Sequence, residues 1–241
     1  MTRRAVYREA PPPAPLVPWA ACRWEVVAGD GGHRVLPDAC VDIVWREDAG
    51  LEVAGPDTAA WVAAMPAGSR AAGVRLRPGA AAAVLGEDVR GFLDARVPAS
   101  RVWGDDARRL EERLHRAADP AGLIAGWLLE RRPSEAPDPL VAAVAGRLEG
   151  DPGTQVQLIA ADVAIGERQL RRRVAAAVGY GPKRLARVLR MQRALLLRAE
   201  RPALGWAGVA AAAGYADQPH LVEDVRALAG VTPTVLDHRL A

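Results

Sequence analysis

Residues 156–182 read VQLIAADVAIGERQLRRRVAAAVGYGP, and residues 207–233 read AGVAAAAGYADQPHLVEDVRALAGVTP. The two stretches are one motif written twice. Ala160 aligns with Ala210, Leu170 with Leu221, Gly179 with Gly230 and Pro182 with Pro233; the offset rises from 50 to 51 because the second copy has one extra residue at its turn. Each copy holds a short alanine-rich helix, a tight turn, a second helix with polar residues outward, and Gly-x-x-Pro as a stop. Glycine ends helices because it takes the left-handed conformation without a Cβ penalty, and proline cannot continue one. Two helices joined by such a turn form a helix-turn-helix, whose second helix enters the major groove of DNA. The repeat predicts a pair of DNA-reading units and double-stranded DNA as the partner.

Between the copies, residues 185–200 read LARVLRMQRALLLRAE. Leu185, Val188, Leu189, Leu195 and Leu196 give an apolar stripe, with arginines around it. A helix of ~16 residues is roughly 24 Å long. With the widths of two small units added, it spans the ~34 Å between adjacent major grooves on one DNA face.

In the first copy, Leu170 and Val174 lie four apart and face inward against Ile159 and Val163, leaving Arg168, Arg171 and Arg172 outward. Arginine reads guanine because its parallel N–H groups match O6 and N7. Arg173, toward the flank, is a phosphate contact or an ion-pair partner of Asp162. In the second copy, Gln218 and His220 are the base-contact candidates, while Glu223 and Asp224 repel phosphate. Arg184, Arg187, Arg190 and Arg226 complete the phosphate contacts. A merely solvated arginine face, and a second unit kept for packing and a few phosphate contacts, are the blander alternatives.

Charge is uneven. The net value is +3, but residues from Asp151 onward carry 13 basic and 8 acidic groups, against 19 and 21 before it. A basic half beside a mildly acidic one fits a DNA-binding module attached to something else. No apolar run approaches the ~20 residues that span a bilayer, and the N-terminus lacks the apolar core of a signal peptide. These readings predict a cytoplasmic chain without a membrane partner. Cys22 and Cys40 are too few and too far apart for a disulfide framework or zinc site. His33, His115, His220 and His238 show no metal-ligand spacing, and no phosphate loop, dinucleotide fingerprint or nucleophile elbow is present. No metal, cofactor or catalytic residue is expected. The alternative of another class is an enzyme with an appended helix-turn-helix, such as a DNA-repair alkyl acceptor using Cys22 or Cys40, although neither cysteine has an evident activating base.

The first ~100 residues read as β-rich. Short runs of Val, Ile, Leu and Trp at 23–27, 33–36, 41–45, 51–54, 61–65 and 73–76 are separated by Gly, Pro and Asp clusters such as GPDT at 55–58. Such punctuation predicts a small barrel or sandwich. Helices follow by pattern at 78–85, 105–118, 122–131 and 139–148. The fold class is therefore α+β: a β-rich domain with trailing helices over residues 1–135, and an all-α domain over 136–241. Six of seven tryptophans fall in the first part; Trp24, Trp45 and Trp61, with Asp38, are candidates for an apolar effector pocket, against an ordinary core role for the rings and a turn role for Asp38.

IAADVAIGERQLRRRV, VGYGPKRLARVLRMQRAL and VAAAAGYADQPHLVEDVRALAGVTP together resemble the AraC family of bacterial transcription regulators over roughly residues 140–241. The resemblance implies two helix-turn-helix units joined by a long helix. By position it places base contacts on Arg168, Arg171 and Arg172 in the first unit, and on Gln218, Pro219 and Glu223 in the second. Pro219 and Glu223 depart from the usual polar and basic residues, and Val174, Leu221 and Val225 replace aromatic core residues. LPDACVDIVW, LEVAGPDT and GVRLRPGAAAAVLG look like the β-rich sensor region that accompanies this domain. That likeness implies a cupin-like barrel that binds a small-molecule effector or mediates homodimerisation.

Overall fold

The computed structural model describes residues 4–131, 133, 136–151, 154, 156–162 and 165–240. The N-terminal part is built on eight strands: β1 (Val6–Ala10), β2 (Ala20–Val27), β3 (His33–Val35), β4 (Val41–Arg46), β5 (Gly50–Ala54), β6 (Trp61–Ala63), β7 (Arg70–Leu76) and β8 (Arg96–Pro98). Six of them form an antiparallel sheet in the order β1-β2-β7-β4-β5-β8, and β3 pairs with β6 in a separate ribbon. The expected barrel or sandwich thus takes the form of an open sheet with β1 and β8 as its edges among the described residues. Strand β1 lies in a segment whose sequence carries no strand signal: four of its five residues are exposed, so no alternation was needed.

Alternation sorts the sheet into two faces. Val41, Ile43 and Trp45 on β4, Leu51 and Val53 on β5, and Val74 and Leu76 on β7 are buried together. Helices α1 (Ala81–Leu85), α2 (Ala99–Trp103), α3 (Asp105–Leu114) and α4 (Pro120–Arg131) cover that face, contributing Leu85, Leu110, Leu114, Ile124 and Leu128 to the same core. The chain's single phenylalanine, Phe92, also packs there, from a 3-10 turn at Val89–Phe92.

The remaining helices are α5 (Pro139–Gly150), α6 (Val156–Asp162), α7 (Glu167–Val178), α8 (Pro182–Glu200), α9 (Trp206–Ala212), α10 (Gln218–Ala229) and α11 (Pro233–Leu240). They share a second core, in which Val144, Ile159, Leu170, Val174, Leu185, Met191, Val209, Leu221 and Val225 are all essentially inaccessible. Ala39, from the loop before β4, joins this second core and links the two halves. Val163 and residue 135, where the sequence places a boundary, lie outside the described residues.

Candidate nucleic-acid interface

The repeat is visible in hydrogen bonds as well as residues. In the first unit Ile165 N–H donates to the Ala160 carbonyl at 3.2 Å; in the second, Tyr215 N–H donates to the Ala210 carbonyl at 2.9 Å. Both alanines are buried, so a larger side chain would push the paired helices apart. The reading helices then end alike, α7 at Gly179 with φ +92° and α10 at Gly230 with φ +70°. The extra residue of the second copy lies between Tyr215 and Asp217, whose side chain caps α10 by accepting the His220 N–H at 2.8 Å. Helix α8 joins the units over 19 residues, about 28 Å of helix. Its stripe is buried as expected except for Leu196, which is 49% exposed.

The two units differ on their outer faces. Helix α7 exposes Arg168, Gln169, Arg171 and Arg172 in its N-terminal half, and Arg171 also donates to Glu167 one turn back at 3.1 Å. Its C-terminal half packs against α1 and the 89–92 turn, so only the end suited to base contact faces outward. Helix α10 exposes Gln218, Pro219, Glu223 and Arg226. His220 is half-buried, its ring edge-on to Tyr215 at 5.3 Å, which makes it a packing residue of the turn. Asp224 does not confront phosphate: it is 4% exposed and accepts two hydrogen bonds from Arg187, at 2.9 and 2.6 Å.

That pairing revises the phosphate set. Arg187 ties α8 to α10 through Asp224. Arg173 donates to Asp138, the cap of α5, at 2.9 and 2.6 Å, while Asp162 faces Arg147 at 3.7 Å. Arg184 reaches the Thr58 carbonyl at 3.4 Å, and Arg190 lies over the Tyr215 ring at 5.3 Å. All four guanidinium groups have work within the fold; Arg226 faces outward.

Of the four residues expected to share an effector pocket, Trp24 and Asp38 meet in one cluster around Asp42 and Arg75, while Trp45 and Trp61 make their contacts elsewhere. Trp24 is in register with Gly73 and, through it, with Val44, so Trp45 points through the opposite face of the sheet. There Trp45 is 1% exposed and edge-on to His115, a core residue. Trp24 lies over Gly73, where a Cβ would come within 2.8 Å of the indole, and donates to Asp42 at 2.7 Å. Trp61 donates to Asp57 at 3.1 Å and carries the Arg96 guanidinium over its ring. Asp38 closes a turn by accepting the Cys40 N–H at 2.9 Å and pairs with Arg75 at 3.2 Å. Around Arg75 the sheet gathers Glu9, Asp38 and Asp42, with Tyr7 donating to Glu9 at 2.6 Å. Burial raises the Asp42 carboxyl to about 6, although Arg75 opposes the shift. Burial also pushes the Cys22 thiol up to about 11 and the Cys40 thiol well above its ordinary value, away from the thiolate an alkyl acceptor needs. An open depression of about 480 Å³ lies elsewhere, between β5 and α3, lined by Glu52, Arg108, Glu111 and His115. Arg75, Glu9 and Tyr7 were missed from the sequence; a charged residue at an alternate position of the apolar run 71–76 was the available signal.

Two family comparisons cover both halves. Residues 159–239 match a family described as a helix-turn-helix domain. The C-terminal part of the chain therefore carries a helix-turn-helix domain. Residues 8–98 match a domain of unknown function (DUF6597). The fold of the whole chain is similar to that of an apo ToxT variant from Vibrio cholerae strain SCE256, at a TM-score of 0.50 and 9% identity over 98% of this chain and 97% of that one. ToxT from Vibrio cholerae O395 superposes with a TM-score of 0.48 at 8% identity, covering 88% and 97%. No curated protein matches the chain. Among the described residues no helix is long and apolar enough to cross a membrane.

Proposed function

We propose that the chain is an AraC-type transcription regulator that recognises specific DNA sequences mainly through α7, with Arg168, Arg171 and Arg172 on base edges of one major groove. The observation that carries this is the exposure of those three arginines on the N-terminal half of a reading helix whose C-terminal half is buried. Gln218 makes the second unit's base contact, and Glu223 weakens that unit's approach to phosphate. Arg226 contacts phosphate; Arg173, Arg184, Arg187 and Arg190 enter as scaffold, because each has a partner inside the protein. The chain works in the cytoplasm by binding rather than by catalysis. Selection of bound sequences from random duplex DNA tests the reading. A motif that loses discrimination at one or two positions in Arg168→Ala or Arg172→Ala, by about 1–3 kcal/mol per contact, supports it. Binding that is only salt-sensitive and sequence-blind overturns it.

Residues 1–135 act in this proposal as the sensor or dimerisation domain, and 136–241 as the reader. Support for a small-molecule effector comes from the half-buried polar face, where Trp24, Tyr7, Glu9, Asp42 and Arg75 offer aromatic surface beside charged groups. Trp24 fluorescence under ligand titration and sedimentation of the free chain test the effector and the homodimer separately.

A further inference from the structure

We propose that residues 55–61, Gly-Pro-Asp-Thr-Ala-Ala-Trp, form a bracket that fixes the separation and rotation of the two reading units. The inference rests on the DNA-reading function above and concerns how that reading is positioned. Alternate residues of the segment touch three different elements of the DNA-binding half. Pro56 lies against the end of α7, where a Cβ on Gly179 would come within 2.7 Å of its ring. The Thr58 carbonyl accepts from Arg184, in the first turn of α8, at 3.4 Å. Ala60 N–H donates to the Leu228 carbonyl in the last turn of α10 at 2.6 Å. Beside it, Arg34 of β3 donates to the Ala229 carbonyl at 3.0 Å. The last carbonyls of a helix have no partner within it and favour a cation, so the segment and Arg34 supply donors to two of them, on Leu228 and Ala229.

Other groups of the same segment hold it to the N-terminal domain. Asp57 accepts two hydrogen bonds from Arg96, at 3.0 and 2.7 Å, and one from Trp61. Thr58 donates through its N–H and its hydroxyl to Asp94, at 2.6 and 2.7 Å. Asp94 N–H returns to the Pro56 carbonyl at 3.0 Å. Both units pack on α8, and the segment adds a second tie between their reading helices at a different point, which opposes any relative rotation of the two. Contact is confined to the C-terminal ends of α7 and α10, so the exposed residues of both reading helices stay clear of the bracket. Asp57, Arg96 and Arg34 are therefore positioning residues.

The test uses the full chain and duplexes carrying its two selected half-sites, with the spacing changed one base pair at a time. The unmodified chain should lose about tenfold in affinity per base pair of misplacement, the scale of a mismatched site. In Asp57→Asn and Arg34→Ala the spacing profile should flatten to within about threefold while preference inside each half-site is kept. A folded variant with the unmodified chain's spacing profile overturns the bracket, however much its melting temperature falls. If both variants fail to fold, amide exchange in the unmodified chain decides: Ala60 should exchange more slowly on DNA, and faster exchange overturns the inference. Selection that enriches no motif with the unmodified chain overturns the reading function itself, a distinct result.

Discussion

The first and second reading units share a scaffold and almost nothing of their outer surface. Their turns close on the same alanine-accepted hydrogen bond, and their reading helices end on glycines in the same conformation. Outward, α7 shows arginines where α10 shows Gln218, Glu223 and Arg226. Their anchoring differs too: α7 docks on the N-terminal domain through apolar packing at Gly179, and α10 through hydrogen bonds to its terminal carbonyls. Positions set by close packing tolerate little change, whereas exposed ones are constrained only by what they bind. Two copies of one motif can therefore keep one geometry and part in function.

The sharpest way to break this symmetry is through the second unit's ion pair, whose carboxylate is almost inaccessible. Arg187→Ala leaves Asp224 buried without its cation and should cost about 3 kcal/mol in denaturant unfolding, near the low end for a broken buried pair because Arg187 is partly exposed. Restoring most of that loss by the double change with Asp224→Ala would confirm the pairing; an additive double mutant would refute it. The glycine caps give the next contrast. Gly179→Ala adds left-handed strain and a clash with Pro56, for about 2 kcal/mol, whereas Gly230→Ala meets only the Arg34 guanidinium, at the ordinary contact distance of 3.4 Å, and should cost about 1 kcal/mol. Equal losses would mean that the two units dock alike.

Differences in reading are smaller in free energy and more specific in effect. Arg172→Ala should lose about 1–2 kcal/mol of base discrimination in the first half-site, and Gln218→Ala less than that in the second. A reversed order in binding-site selection would make the second unit the principal reader. Glu223→Gln removes a repulsion and should raise affinity without changing sequence preference, which a salt titration would separate from a base contact. Smallest of all, Glu167→Gln breaks an exposed pair with Arg171 and should change stability by about 0.3 kcal/mol.

What was legible follows from the range of the interactions involved. Helix ends, turns and apolar periodicity are written within a few residues, so the doubled motif, the connecting helix and most strands could be read directly. Strand β1 could not, because an edge strand with both faces largely exposed needs no alternating pattern. The pairing of Arg173 with Asp138 and of Arg187 with Asp224 crosses 35 and 37 residues, and an arginine seeking a carboxylate looks in sequence like one seeking a phosphate. Trp45 was grouped with Trp24 by composition, although register alone puts them on opposite faces.

The sequence by itself determined that this protein carries two helix-turn-helix units, where each begins and ends, and that the first reading helix exposes Arg168, Arg171 and Arg172, because these depend on local backbone preference and helical periodicity. Only the tertiary structure decided which arginines are committed to internal carboxylates, which tryptophans are core, and how Arg34 reaches a helix end 195 residues away. Such contacts depend on where folding brings distant segments together, and no local pattern records that.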